Sequence, residues 1–198
     1  MVEVVSERGY PETRVVDVIK QAGVSRKTFY EQFDDKEDCF LAAYDIAVSV
    51  LLRGTAKAFE ASPERAWAER LRVGLSAFLR IISEQPAAAK FCIVDALAAG
   101  PKALARRDAA VRQFTGFIDA GRAETDRELP GITALSLAGG INELLYSDIL
   151  DGGSAGLPSR LPEIVYWIIQ PFLGSDRAEQ ERRLARAMAA GDGSVPAG

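Results

Sequence analysis

Histidine is absent from this chain of 198 residues, which removes the commonest general base and metal ligand together. Ser-His-Asp hydrolysis, Cys-His nucleophilic pairs and most zinc sites are excluded with it. Cysteine is nearly as scarce: Cys39 and Cys92 stand alone, each inside an apolar helical pattern and neither in a CxxC or other ligand spacing, so both read as reduced core residues. No basic start followed by an apolar h-region marks a signal peptide. The longest nearly unbroken apolar stretch, around residues 164–173, is too short to span a bilayer. Strand alternation and internal repeats are also missing. These absences predict an all-α, cytoplasmic protein with no membrane partner, no metal and no cofactor, and they leave little room for an enzyme. Net positive charge is lacking too. The chain carries −4, and its first 45 residues hold six cations against ten acids, so the whole deficit lies there. Any nucleic-acid contact must then come from a local patch or from residues this sequence lacks.

What is present is an ordinary soluble composition, 48% hydrophobic and 26% charged, arranged almost wholly at helical spacing. In "TRVVDVIKQAGVSRKTFYEQF", Val15, Val18 and Ile19 define one amphipathic helix that Ala22 closes and Gly23 can terminate. Ser25 reads as the cap of a second helix over residues 26–32, burying Phe29 and Phe33 and presenting Arg26, Lys27, Thr28 and Tyr30 on its other side. Two short helices joined by a glycine turn, the second offering cations and hydroxyls near its N-terminus, have the shape that enters a major groove. The same pattern also fits a plain helix pair with a solvated basic face. Asp35 then caps a long helix, with Asp38 in its first turn, that reaches about residue 60 and joins this small head to a larger body.

Prolines and glycines at 62–63, 85–86, 100–101, 130–131 and across "DGGSAGLPSRLP" divide the body into helices. Trp67, Phe78, Ile82, Phe91, Phe114, Phe117 and Tyr146 come from different body helices and are candidates to line one apolar cavity, with Asp95 and Asn142 as polar anchors on the same stripes. The segments "GITALSLAGGINELLYSDIL" and "PEIVYWIIQPFLG" are apolar on more than one face and so must be covered twice. A second copy of the chain is the expected second cover, through Leu137, Ile141, Leu144, Ile164, Trp167 and Ile168, with Gly139 and Gly140 permitting close approach. The expected layout is a helix-turn-helix head over 1–45, a ligand-binding and dimerisation body over 46–190, and a disordered tail over 191–198.

The stretch "GYPETRVVDVIKQAGVSRKTFYEQFDDKEDCF" resembles the DNA-binding head of the TetR family of bacterial regulators. It has the glycine after a first helix, AGVS, an aromatic-Tyr pair, Phe33 beyond a polar pair, and Lys-Glu opening the long helix. The resemblance implies a homodimeric regulator, most often a repressor, that places two recognition helices in successive major grooves of a palindromic double-stranded operator and is released by a small apolar or weakly polar effector. It implies base or phosphate contacts from Ser25, Arg26, Lys27 and Thr28, phosphate contacts from Tyr30 and Lys36, and a role for Thr13 and Arg14 at the entry to the second helix. There are departures. Arg14 stands where Thr or Ser is usual, Gln32 where His is common, and the sequence opens inside the first helix, so a basic arm and about two helical turns are expected to be missing. Two other readings stay open on residues alone: a dimeric protein-interaction module that has lost DNA binding, and a histidine-free enzyme using a carboxylate such as Asp95 or Glu143.

Overall fold

The computed structural model describes residues 1–192, and all regular structure among them is helical. The head comprises α1 (Val2–Arg8), α2 (Val15–Ala22), α3 (Arg26–Tyr30) and the start of α4 (Lys36–Glu60). Gly9 at φ 79° ends α1. Gly23 ends α2 in the left-handed region at φ 67°, where its N–H reaches the carbonyls of Ile19 and Lys20, a conformation that costs a glycine little. Ser25 caps α3 by accepting the Thr28 N–H at 3.0 Å, and Asp35 caps α4 by accepting the Asp38 N–H at 2.8 Å. The regular part of α3 ends at Tyr30 rather than at residue 32, and the N–H groups of Gln32 and Phe33 share the Phe29 carbonyl in a closing turn. Phe29 is nonetheless buried, with Val18 and Cys39, and Val15, Ile19 and Phe33 close over them.

The body contains α5 (Trp67–Glu84), α6 (Pro86–Ile93), α7 (Pro101–Asp119), α8 (Thr133–Leu150), α9 (Leu161–Leu173) and α10 (Ser175–Asp192). Prolines start α6, α7 and α9, where the missing N–H is no loss. Both cysteines are free and buried. By length and composition alone α4 could cross a membrane, although its scattered charges keep it from reading as an apolar run. In this fold its apolar side packs on α5, α6 and α7.

A correction to the expected double cover concerns α9. Its second cover comes from α10 of the same chain, which lies along it and places Ala178 and Ala185, both fully buried, at the contact. An Arg72–Glu181 ion pair at 2.9 Å, inside the core, ties α10 to α5. Ile164 and Ile168 are therefore interior residues of one chain, as are Leu137 and Ile141, and none offers an outward patch. The outward side keeps Trp167, 47% exposed, and the half-buried Leu144. The Trp167 ring lies over Gly140, where an added Cβ would collide with it, while Gly139 faces open space. The expected tail begins inside α10, and residues 193–198 of it lie outside the described residues.

Candidate nucleic-acid interface and effector cavity

The two ends of the head differ in how their polar groups are engaged. Ser25, Arg26, Lys27, Thr28 and Tyr30 are all exposed along one short helix. The Ser25 hydroxyl lies 2.9 Å from that of Thr28, the Arg26 guanidinium sits 5.6 Å from the Tyr30 ring centre, and Lys27 is 3.8 Å from Glu31. Such a distance between exposed groups is a weak tie that a phosphate can displace. The remaining predicted positions are already occupied by partners within the chain. Thr13 is buried and donates its hydroxyl to the Gly9 carbonyl at 2.8 Å, so it holds the turn before α2 and cannot reach DNA. Lys36 donates to the Tyr10 carbonyl at 2.9 Å and lies over the Tyr10 ring. The Arg14 side chain does not cap α2. Arg14 holds the N-cap position by its backbone, and Asp17, at the third position of the helix, accepts the Arg14 backbone N–H at 3.0 Å and its Nε at 3.2 Å. Those hydrogen bonds, the Arg14 side chain first, hold the Asp17 carboxyl below its ordinary value.

The same pairings engage much of the acid in the head. Asp17 is matched by Arg8 and Arg14, Asp35 and Asp38 accept backbone N–H groups, Glu37 pairs with Lys102 at 2.7 Å, and Asp45 pairs with Arg106. The last two pairs fasten the start of α4 to α7. Part of the head's acid is thus engaged by the body through Glu37 and Asp45, while Glu31 remains beside Lys27 on the α3 side.

In the body, α4, α5, α6, α7 and α8 enclose a cavity of about 100 Å³. Phe78, Phe114, Phe117 and Asn142 of the predicted set line it; Phe78 and Phe114 meet edge to face at 5.1 Å. The other five predicted residues are elsewhere, for reasons of packing. Trp67 is pressed between Phe172 and Gly121 and donates its Nε1–H to the Phe117 carbonyl at 2.8 Å. Phe91 packs on Phe40 at 4.4 Å. Ile82 lines a separate open groove beside α6. Asp95 is buried and paired with Lys90 at 3.2 Å, and Tyr146 packs against the core outside the cavity. Ile141, expected at a dimer contact, is a cavity wall.

Several lining residues were not anticipated: Tyr44, Val48, Thr55 and Phe59 from α4, Cys92 and Ile93 from α6, and Arg107 from α7. Their signal was in the sequence. Arg107 interrupts the stripe Ala103, Ala110, Phe114 at helical spacing, and Tyr44 continues Phe40 toward Val48. Burial pushes the Cys92 thiol up to about 12, so it is an apolar wall and not a nucleophile.

Two helices connect this cavity to the head. The start of α4 contributes Cys39 to the head core, and its later turns line the cavity. In α6, Cys92 and Ile93 face the cavity, Phe91 meets Phe40, and Lys90 donates to the Ser6 carbonyl of α1 at 2.7 Å. Each of these helices thus touches both the cavity and the groups that pack on α1 or α3.

Comparison with known proteins agrees with this geometry. Residues 2–43 match the family model described as bacterial regulatory proteins, tetR family. No curated protein matches by sequence. Among solved structures, the fatty acid degradation regulator FadR from Bacillus halodurans superposes with a TM-score of 0.70 at 16% identity, covering 85% of this chain and 93% of that one. The FadR of Bacillus subtilis, solved in complex with stearoyl-CoA, gives 0.66 at 18% identity over 85% and 93%. PfmR, a TetR family transcriptional regulator from Thermus thermophilus, gives 0.62 at 19% identity over 87% and 91%. The head is thus matched over residues 2–43 by the tetR family model, and the chain as a whole shares the fold of these solved regulators.

Proposed function

We propose that the protein is a ligand-responsive transcriptional regulator, acting as a repressor, that binds a palindromic operator as a homodimer and is released by an effector held in the body cavity. The observation that carries this reading is the position of α4, whose first turn supports the recognition helix and whose middle turns form the cavity wall. Two recognition helices must meet half-sites about 34–36 Å apart, so a small pivot of each α4 is enough to lose register. The walls are formed almost wholly by aliphatic and aromatic side chains, which suits an apolar effector. The stearoyl-CoA of the Bacillus subtilis FadR complex supports that chemistry by analogy of fold. The outward face of α8 and α9, with Trp167, Leu144 and the open Gly139, is the surface we assign to the second copy.

The test is a gel shift on genomic fragments followed by titration of apolar compounds. Bound compounds should weaken DNA binding, and calorimetry should show DNA weakening the compound by the same factor, since coupling is reciprocal. Phe114→Glu should abolish the response and keep the shift. A compound that binds the free and the operator-bound protein equally well would leave a constitutive DNA binder as the better reading.

A further inference from the structure

The chemistry of the effector can be taken further, on the assumption that the body cavity is the effector site. Its lining includes one charged residue, Arg107. The Arg107 side chain is only 17% exposed, its buried Nε has no hydrogen-bond partner, and its ion-pair carboxylate, Asp108, stands at 3.7 Å, beyond hydrogen-bond reach. Tyr44 lines the same cavity at 2% exposure and brings a phenol hydroxyl to a mainly apolar lining. Arg107, Tyr44 and Cys92 line the one cavity, and burial raises the Tyr44 phenol above its ordinary value, so it is protonated and a donor. Asn142 is the third polar group. Together with Arg107 and Val111 it also borders a surface recess between α7 and α8, so these residues stand where the cavity approaches solvent. The same lining carries four aromatic rings, Phe59, Phe78, Phe114 and Phe117.

A guanidinium whose Nε is unpartnered among the described residues is unfavourable in an apolar wall, and an acceptor-rich group in the cavity would relieve it, with the Tyr44 phenol as a further donor in the same lining. A cation is excluded by Arg107, and a neutral polar group forgoes the charge-assisted bond. A dianion is disfavoured because Asp108 and Glu143 line the same recess and balance Arg107 and Arg112 there. We propose that the cavity takes a monocarboxylate with an apolar body, its carboxylate accepting hydrogen bonds from Arg107 and the Tyr44 hydroxyl beside Asn142, and its apolar part lying among Phe59, Phe78, Phe114 and Phe117.

The test is calorimetry on the full chain with three probes sharing one tail: decanoate, decan-1-ol and decanoyl-CoA. Decanoate should bind about tenfold or more tighter than decan-1-ol, as a charge-assisted hydrogen bond requires. Arg107→Gln should erase that preference, and Tyr44→Phe, a near-isosteric change that keeps the wall, should reduce it several-fold. Equal binding of decanoate and decan-1-ol by the parent would overturn the headgroup assignment while leaving the effector cavity standing. Decanoyl-CoA bound tightly with decanoate unbound would overturn it in favour of a thioester carried outside the pocket. If none of the three bound, the effector reading itself would fall with it.

Discussion

The head and the body are held together by different amounts of the same force. In the body one continuous core runs from α1 to α10 and includes Trp67, Phe91, Phe172 and the buried face of α9. The head proper has its own apolar cluster of only Val18, Phe29 and Cys39, under a thin cover. It is otherwise held by caps at Ser25 and Asp35 and by the Gly23 turn. Yet α1 belongs energetically to the body, since Val5 is part of the large core and Phe40, also in that core, touches Tyr10, Tyr44 and Phe91. A thin reading unit on a thick scaffold, joined through α1, α4 and α6, is a unit that can be moved without being unfolded.

The contrast can be broken most severely at the joint. Phe40→Ala removes a fully buried ring from the shared core and should cost about 3–5 kcal/mol, seen as a large drop in thermal midpoint. Phe29→Ala should instead open the head alone, with amide exchange rising across α2 and α3 while α5 and α9 stay protected; global loss of protection would show that head and body do not behave as separate units. Next in size, Arg26→Ala with Lys27→Ala should weaken operator binding by about 1–3 kcal/mol for each base-edge hydrogen-bonding pair that disappears. Both are exposed, so thermal stability should move by less than about 0.5 kcal/mol. A double variant that shifts DNA as well as the parent at equal salt would remove α3 from the interface.

Smaller effects follow at the caps and the carboxylates. Ser25→Ala deprives the Thr28 N–H of its acceptor and should cost about 1 kcal/mol of stability, with a larger effect on DNA binding than on the body's melting. Acidification should act with opposite signs on the two regions. The Asp17 carboxyl is held low by Arg14, so its contribution is present above the unfolded value of about 3.9 and is lost as pH falls through its lower folded value. Asp95 is pushed up by burial, against the pull of Lys90, so the folded state takes up its proton first and gains relative stability as pH falls through that raised value. Carboxyl NMR titrations should place the Asp95 midpoint above the ordinary aspartate range and the Asp17 midpoint below it.

Much of the head was legible before any fold was known, because its signals are local. The Gly23 turn, the Ser25 and Asp35 caps and the exposed row from Arg26 to Tyr30 depend on residues within four positions of one another. The body was legible only as helices. Trp67 and Phe91 looked like cavity residues because large aromatic side chains on an apolar stripe serve core and pocket alike, and the choice was made by what faced them, Phe172 and Gly121 in one case and Phe40 in the other. Similarly, α9 looked like a dimer face because α10 is polar in composition and its contact with α9 is made by small residues, Ala178 and Ala185, that announce no core.

The sequence by itself determined that the protein is helical, that it has no histidine chemistry, and that a capped helix after a glycine turn presents Arg26 and Lys27 outward. Those features rest on backbone conformation, helical period and side-chain type, which the chain carries locally. Only the tertiary structure decided that Thr13 faces Gly9, that α10 covers α9, and that Tyr44, Arg107 and Asn142 from three separate helices border one cavity. The last two depend on residues far apart in the chain and the first on how the turn before α2 closes, so each is fixed by packing and not by the pattern along any one helix.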